Sequence, residues 1–347
     1  MTLLVTGGTG FVMSVVAREW LDRDPQARAV ILDRSGLDVI AEKFFAPVRD
    51  RLTVLTADIL DPTQWAAALD AHGITAIVHG ATVTPNSRPS DPSQPPEAND
   101  PATIVDVNLM GTVRMLEWAR GRPSIKRFVY VSSGSVYRHN GPDWSGEPLP
   151  EDGYVAPLTL YGISKFAAEM VTNRYADLFG LSAISVRLSS VYGPMDRVTA
   201  SRNFRHVPNR IAHMALDGVQ RVRVNTLDAV GDYIHVEDVA SAIAALLRAP
   251  RLRFSAYNVA CGATASIGEL VGWAAEKVPG FGAELAPAEQ ADIVQDASLK
   301  DGMWGAYDIS RIGADTGWKP RPMREALHAY MDWLASERDS GTRQEAR

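Results

Sequence analysis

The chain has 347 residues, of which 46% are hydrophobic and 22% are charged, and its formal net charge is −6. These values are typical of a globular protein with one large domain or two lobes. A net negative charge argues against general binding to nucleic acid or to an anionic membrane surface. No apolar run approaches the length of a transmembrane helix. We therefore expect neither nucleic acid nor a membrane as a partner.

Cysteine and histidine are both sparse. Cys261 is the only cysteine, which excludes an intrachain disulfide and favours a reducing compartment. Residues 1–6 lead directly into an apolar run without a basic leader, so we expect a cytoplasmic protein. The seven histidines and one cysteine show no zinc-ligand spacing, and no metal is predicted.

The first half of the chain alternates short apolar runs with helical patterns, which is typical of βαβ units and a parallel sheet. Strands are predicted at 3–6, 29–32, 52–56, 76–79, 127–132 and 183–188. Helices are predicted at 11–23, 62–71, 102–121 and 161–179. Two segments punctuated by proline, serine and glycine, 83–101 and 138–158, are predicted to be long loops.

The pattern becomes less regular after residue 188. Further strands are predicted at 233–236 and 257–259, and further helices at 207–217, 237–248, 266–277 and 323–335. The last residues, 336–347, are polar and are expected to fray. The fold class that follows is α/β, a doubly wound parallel sheet with a smaller C-terminal lobe.

A glycine-rich turn, TGGTGFV at 6–12, lies between the first predicted strand and the first predicted helix. Glycines allow the backbone to approach a pyrophosphate, and the helix N-terminus favours its negative charge. The alternative is a plain glycine-rich turn between a strand and a helix. The position in a βαβ unit favours a dinucleotide site that includes Gly7, Gly10, Phe11 and Val12.

Asp33 ends the second predicted strand, about 20 residues beyond the glycines, as dinucleotide sites require. A carboxylate there accepts hydrogen bonds from both adenosine ribose hydroxyls and repels a 2′-phosphate, which favours NAD over NADP. The neighbouring Arg34 can accommodate such a phosphate and leaves NADP open. Asp58, followed by Ile59, is a candidate for the adenine amino group, or else a solvated aspartate at a strand end.

Tyr161 and Lys165 are four residues apart and share one face of a predicted helix. A lysine ammonium lowers the pKa of a nearby tyrosine from about 10 toward neutrality, and the phenolate is then a general base for a secondary alcohol. Ser133 follows the fifth predicted strand, where its hydroxyl is placed to contact the reacting oxygen. A serine-rich loop start of no catalytic importance is the alternative.

These motifs, in this order, resemble the extended short-chain dehydrogenase/reductase family, the NAD-dependent epimerase/dehydratase group. Matching segments are VHGA at 78–81, VNLMGT at 107–112, SSGSVY at 132–137, YGISK at 161–165, RLSSVYGP at 187–194, DYIHVEDVA at 232–240 and YNVACG at 257–262. The resemblance implies a Rossmann-type NAD-binding domain at 1–186 and 226–260. It also implies a substrate-binding lobe at 187–225 and 261–347.

The resemblance also implies roles for single residues. Tyr161 is the acid/base, Ser133 orients the substrate oxygen, and Lys165 holds the nicotinamide ribose while it lowers the tyrosine pKa. Nicotinamide C4 takes or gives the hydride. The implied cofactor contacts are completed by Ala81 and Asn108, and the implied substrate contacts are Thr82, Ser133, Ser135, Ser190 and Arg197.

Three departures from the family pattern bear on function. Met13 replaces the third glycine of the turn, so the helix must move outward or face a smaller residue. Gly231 and Ser190 replace an arginine and an asparagine that help bind nucleotide-diphospho-sugars, which weakens the case for such a substrate. Gly134 and Ser135 replace the Asp-Glu pair of sugar-nucleotide dehydratases, so a 4,6-dehydratase is not expected.

The sequence therefore predicts an NAD-dependent oxidoreductase that acts on a secondary alcohol or ketone of a sugar-like or sugar-acid-like substrate. The alternative is a nucleotide-sugar epimerase, and a third hypothesis is a non-catalytic NAD-binding regulator. Arg197 is expected to bind a substrate phosphate or carboxylate, unless it belongs to an ordinary basic surface. A homodimer is also expected, formed through the helix after Asn108 and the helix of Tyr161.

Overall fold

The computed structural model describes residues 1–84, 96–98, 100–137, 148–153, 155–198, 205–295 and 305–345. Its strands are β1 (Thr2–Thr6), β2 (Arg28–Asp33), β3 (Leu52–Thr56), β4 (Ile74–His79), β5 (Arg127–Ser133), β6 (Ala183–Leu188), β7 (Ser190–Tyr192), β8 (Arg221–Val224), β9 (Val230–Gly231), β10 (Tyr233–His235), β11 (Ala256–Val259), β12 (Ala265–Ser266) and β13 (Gly282–Leu285). Its α-helices are α1 (Phe11–Arg23), α2 (Val39–Phe45), α3 (Ala66–Asp70), α4 (Pro101–Val105), α5 (Gly111–Arg120), α6 (Leu160–Phe179), α7 (Val207–Leu216), α8 (Val236–Arg248), α9 (Ile267–Lys277), α10 (Ser310–Thr316) and α11 (Met323–Glu345).

A seven-stranded sheet forms the centre of the molecule, with the order β3-β2-β1-β4-β5-β6-β11. All neighbouring strands in it are parallel. The strand order reverses between β1 and β4, so a crevice opens at the carboxyl ends of these two strands. The predicted α/β doubly wound, Rossmann-type sheet is confirmed.

Helices cover both faces of this sheet, which explains why its strands are continuously apolar. In β1, Leu3 and Val5 belong to the core cluster that includes α1 and α8, whereas Leu4 belongs to the cluster that includes α5 and α6. All three side chains are fully buried. Because successive strand residues point to opposite faces, one strand anchors both layers of helices.

A separate apolar cluster is built by α7, α9 and α11, with Ile211, Leu270 and Leu327 near its centre. The paired strands β8 and β13 lie beside it. The sequence-based division placed 261–347 in the smaller lobe, yet Ile312 and Trp318 pack into the sheet cluster with α1 and α8. The chain thus returns to the sheet before its last helix.

Most predicted elements match the structure within one or two residues, and four differences stand out. The helix predicted at 102–121 is interrupted by a π-helical turn, Asp106–Met110. The helix predicted at 62–71 is a 3₁₀ turn, Pro62–Gln64, followed by α3. The last helix continues to Glu345. The helix α2, which Asp38 caps at its N-terminus, was not predicted.

Large parts of the two predicted loops, residues 85–95, 99, 138–147 and 154, lie outside the described residues. Within the described part of the chain, no helix is long and apolar enough to cross a membrane.

Met13 lies against Gly80, at the end of β4. A Cβ atom on Gly80 would lie 2.5 Å from Met13 Cγ, which is closer than van der Waals contact allows. Met13 is 4% exposed and is part of the sheet core. The expectation that Met13 requires a small facing residue is confirmed, and Gly80 is that residue.

We predict that Gly80→Ala lowers the free energy of unfolding by about 1–3 kcal/mol, because it overpacks a filled site. The same substitution in a Met13→Ala background should cost much less, since the room for the new methyl group is then available. Denaturant unfolding of the four proteins of this double-mutant cycle measures the coupling. Additive effects would show that the two residues do not compete for space.

Candidate active site

The glycine loop begins where β1 ends. Gly7 has φ +72°, a left-handed conformation that favours glycine, and a Cβ there would lie 3.0 Å from the backbone of Ala81. Gly10 caps α1 without any side-chain hydrogen bond to the first turn. No side chain caps the first turn of α1, and a helix N-terminus of this kind favours an anion such as a dinucleotide diphosphate. Phe11 and Val12 form the first turn of α1.

Asp33 lies beside this loop at the end of β2. The main-chain N–H of Thr9 donates to Asp33 Oδ2 over 3.1 Å, and that of Ser35 donates to Oδ1 over 3.2 Å. These bonds fix the carboxylate next to the place where the adenosine ribose of a bound dinucleotide would lie. The neighbouring Arg34 is exposed.

The end of β3 carries the other adenosine-side candidates. Asp58 Oδ1 accepts the main-chain N–H of Leu60 over 2.9 Å, which shapes the turn after the strand. Ile59 is 7% exposed, and a Cβ on Gly111 would lie 3.1 Å from its Cγ2. Ile59 therefore sits tightly against the start of α5.

Arg197 lies on the cofactor side of the crevice. Its guanidinium forms an ion pair with Asp38 over 2.7 Å and donates to the carbonyl oxygen of Thr9 over 3.3 Å. The side chain is only 12% exposed. These bonds connect the segment after β7 to the glycine loop and to α2, and the assignment of Arg197 to the substrate remains a prediction.

Asn108 is positioned by the π-helical turn, a distortion often found at functional sites. Its Oδ1 accepts hydrogen bonds from Thr82 Oγ1 and from the main-chain N–H of Val83, each over 2.8 Å. Its Nδ2 donates to Ser164 Oγ over 3.0 Å. Asn108 therefore joins the loop after β4 to the first turns of α6.

His79 is fully buried at the end of β4. Its Nδ1 lies 2.7 Å from Thr6 Oγ1, and its Nε2 lies 3.1 Å from Thr112 Oγ1. Burial lowers the pKa of His79 to about 3, and the positive charge of Lys165 contributes to this shift. The histidine is neutral at physiological pH and ties β4 to β1 and α5.

The first turn of α6, which carries Tyr161, approaches closely the turn that follows Ser133 at the end of β5. Ser133 Oγ accepts the main-chain N–H of Ser135 over 3.1 Å and donates to Ser135 Oγ over 3.1 Å. A Cβ atom on Gly162 would lie 2.5 Å from the carbonyl oxygen of Ser135. Glycine after Tyr161 is therefore required for this approach, and Thr159 caps the helix at that point.

Lys165 lies one turn further along α6 and is 2% exposed. Its Nζ donates to the carbonyl oxygen of Val131 over 2.9 Å. Nζ also lies 5.8 Å from the ring centroid of Tyr161 and 5.2 Å from that of Tyr130. Burial lowers the Lys165 pKa to about 7, against the opposing effect of Glu169. The arrangement places a buried amine beside Tyr161, and the role of this pair in proton transfer remains a prediction.

Two tyrosine rings occupy the space where side chains would lie if Gly134 and Gly231 were other residues. A Cβ on Gly134 would overlap the hydroxyl group of Tyr307, and a Cβ on Gly231 would lie 2.6 Å from Tyr233 Cζ. Tyr307 is 4% exposed and Tyr233 is 7% exposed. No local sequence pattern indicates the contact between Tyr307 and Gly134, because the two residues are 173 positions apart in the chain.

Asp232 connects the two glycine positions. The residue is 3% exposed, and its carboxylate accepts hydrogen bonds from Ser189 Oγ and from the main-chain N–H groups of Cys261, Gly262 and Tyr307. Asp232 therefore fixes the backbone of Tyr307 next to Gly231. Ser190, which was predicted to contact substrate, lies in β7 and donates its main-chain N–H to Asp232 O over 3.2 Å.

The model of the NAD dependent epimerase/dehydratase family matches residues 3–260. The chain belongs to this family. The member described here is 26% identical to dTDP-glucose 4,6-dehydratase 1 of Escherichia coli, over 97% of this chain and 93% of that protein. It is 30% identical to GDP-6-deoxy-D-mannose reductase of Pseudomonas aeruginosa, over 70% and 78% of the two chains.

The fold of this family member is similar to the crystal structure of UDP-glucuronic acid 4-epimerase from Bacillus cereus, which contains UDP-glucuronic acid and NAD. The TM-score is 0.74 at 19% identity, over 97% of this chain and 99% of that one. Family membership makes the protein an NAD-dependent enzyme. The uncapped start of α1 and the carboxylate of Asp33 fit the diphosphate and the adenosine ribose of NAD.

We predict that Lys165→Met raises the free energy of unfolding at pH 7 by about 1–4 kcal/mol, because it removes a buried charge. The ordinary lysine pKa is 10.5 and the folded value is about 7, so between these values the unfolded chain holds a proton that the folded chain has released. Stability of the native sequence therefore rises with pH across that window, and the advantage of the variant shrinks.

Denaturant unfolding at several pH values measures this effect. Lys126→Met is the matched control, since Lys126 also donates to a main-chain carbonyl but is exposed. A Lys165→Met protein that is less stable than the native sequence throughout the range would contradict the prediction.

Proposed function

We propose that this enzyme transfers hydride between NAD and the secondary alcohol or ketone carbon of a sugar-like or sugar-acid-like substrate, through Ser133, Tyr161 and Lys165. The observation that carries the proposal is the close contact of Gly162 with Ser135. It brings the first turn of α6 onto the Ser133 turn, and the buried Lys165 Nζ of the next turn bonds to Val131 O in the strand that ends at Ser133.

In the oxidative direction, Tyr161 Oη takes the hydroxyl proton of the substrate while Ser133 Oγ holds the same oxygen by a hydrogen bond. Lys165 stabilises the phenolate before the proton arrives. When bound, NAD supplies the hydride acceptor at nicotinamide C4. In the reductive direction the roles reverse, and Tyr161 returns the proton to the carbonyl oxygen.

A nucleotide-sugar epimerase is the second candidate, because the relatives and the similar structure carry names of enzymes that act on dTDP-, GDP- or UDP-sugars. Two observations weigh against tight binding of a diphosphate. Gly231 offers no side chain, and the Tyr233 ring occupies the adjoining space. A charged arginine cannot enter there unless that ring moves.

A dehydratase is disfavoured by a different contact. The position after Ser133, where dehydratases carry an acid, is Gly134, and the Tyr307 hydroxyl closes the space beside it. A group able to remove or donate a proton at a neighbouring sugar carbon is therefore replaced by a buried phenol, whose pKa burial raises well above its usual value.

We predict that Tyr161→Phe lowers turnover by at least about 100-fold while NAD affinity stays unchanged, because only the proton-transfer group is removed. The substrate for this assay comes from a thermal-shift screen of sugar acids, aldoses, polyols and nucleotide sugars in the presence of NAD. Tyr175→Phe is the matched control, since Tyr175 lies on the same helix, α6, about four turns after Tyr161, and its hydroxyl bonds to Glu117 on α5.

The same assay separates the candidates. A dehydrogenase accumulates NADH, which absorbs at 340 nm, whereas an epimerase converts substrate without net NADH and commonly purifies with the cofactor bound. An active Tyr161→Phe variant would refute the mechanism. Saturable NAD binding without turnover of any compound in the screen would support a non-catalytic NAD-binding regulator instead.

We also propose a homodimer formed through α5 and α6. Large apolar side chains are exposed on this surface, with Ile163 at 46%, Met170 at 54% and Met110 at 39%. We predict that Met170→Glu shifts the mass measured by light scattering from dimer to monomer at micromolar concentration. Leu285→Glu, at a 68% exposed site on β13, should leave the mass unchanged. A native protein that is monomeric in this measurement would rule the dimer out.

A further inference from the structure

A buried ion pair lies one helical turn beyond Lys165. Arg187, on β6, donates through Nη2 to Glu169 Oε2 over 2.7 Å and through Nε to both carboxylate oxygens over 3.1 Å. The side chains are 5% and 2% exposed. The pair is therefore bidentate and almost completely removed from water.

Arg187 also reaches the segment that carries Ser133. Its Nη1 donates to Tyr137 Oη over 3.0 Å and to the carbonyl oxygen of Glu151 over 2.8 Å. Tyr137 lies four residues after Ser133 and donates to Asn258 Oδ1 over 2.7 Å. One guanidinium thus connects α6, the Ser133 segment and β6.

Stability alone does not account for this pair. The desolvation of two charges generally cancels their attraction, and apolar residues of similar volume often stabilise a core equally well. A structural purpose would need no charge at this place. The position of Glu169, four residues after Lys165 on the same helix, indicates an electrostatic purpose.

The groups around Lys165 leave Glu169 as its source of negative charge. On α6 the neighbours are Tyr161 and Glu169, and β5 contributes the Tyr130 ring and the carbonyl oxygen of Val131. On β4, His79 is neutral. Among these groups, Glu169 alone favours the protonated lysine by its charge.

We propose that Glu169 and Arg187 are positioning residues for the Tyr161 site. The Glu169 carboxylate keeps Lys165 protonated beside Tyr161, and Arg187 fixes that carboxylate and braces α6 against the Ser133 segment through Tyr137. The inference rests on the proposed role of Tyr161 as the base. It adds that the charge of Lys165 depends on a group which touches neither substrate nor cofactor.

The test measures ionisation of Tyr161 and needs no substrate. Phenolate absorbance near 295 nm is titrated in the native protein and in Tyr161→Phe, and the difference between the curves isolates Tyr161. Glu169→Gln should move the midpoint of this difference curve upward by about one pH unit, because Lys165 then loses its proton earlier. For Glu169→Gln, the reference curve comes from the double variant Glu169→Gln/Tyr161→Phe, so that the difference again isolates Tyr161.

Two further variants separate charge from folding. Glu169→Leu combined with Arg187→Leu removes both charges without leaving an unpaired one, and should shift the midpoint in the same upward direction, but by less because the opposing charge of Arg187 is lost as well, even if Glu169→Gln fails to fold. Glu169→Asp keeps a carboxylate and should restore most of the native midpoint. Asp238→Asn, at a partly buried ion pair with Arg321 outside this network, is the control and should not move it.

The outcomes are distinct. A native Tyr161 that titrates near 10, the ordinary tyrosine value, would refute the proposed function itself. A lowered native midpoint that stays the same in the double leucine variant, or in a folded Glu169→Gln protein, would overturn only the present inference and leave the pair a structural brace. A shift in both variants, with recovery in Glu169→Asp, supports it.

Discussion

The burial of one lysine ammonium is the constraint on which the site depends. Lys165 donates a hydrogen bond to Val131 O near the end of β5, in a place that penalises its charge. That penalty is useful, because a cation with little water around it acts strongly on the adjacent Tyr161 ring. The Gly162–Ser135 contact fixes the first turn of α6 against the turn after β5, and the Arg187–Glu169 pair fixes α6 against β6.

The sequence predicted the parts of the site that are encoded locally. The glycine loop, Asp33 and the Tyr161/Lys165 spacing each lie within one strand end or one helical turn, so their geometry follows from the element that carries them. The pairing of Met13 with a small residue was also expected, because the loss of a fingerprint glycine must be compensated at the facing strand. The structure was needed only to identify that small residue as Gly80.

Contacts between distant segments could not be predicted in the same way. Tyr307 reaches Gly134, and Arg187 reaches both Glu169 and Tyr137, because the parallel sheet places β5, β6 and β11 side by side. A glycine that replaces a functional residue indicates a lost group, but not what fills the space. The structure adds that the rings of Tyr307 and Tyr233 occupy the space beside Gly134 and Gly231.

The central claim, that burial beside Tyr161 lowers the pKa of the Lys165 ammonium to about 7, is tested most directly by NMR of the lysine side chains. The chain has only six lysines, at 43, 126, 165, 277, 300 and 319, so ¹³Cε-labelled lysine gives a simple spectrum. The account predicts one resonance, absent in Lys165→Met, that titrates at about pH 7 in the cofactor-free protein. A Lys165 resonance that titrates near 10.5 would contradict it.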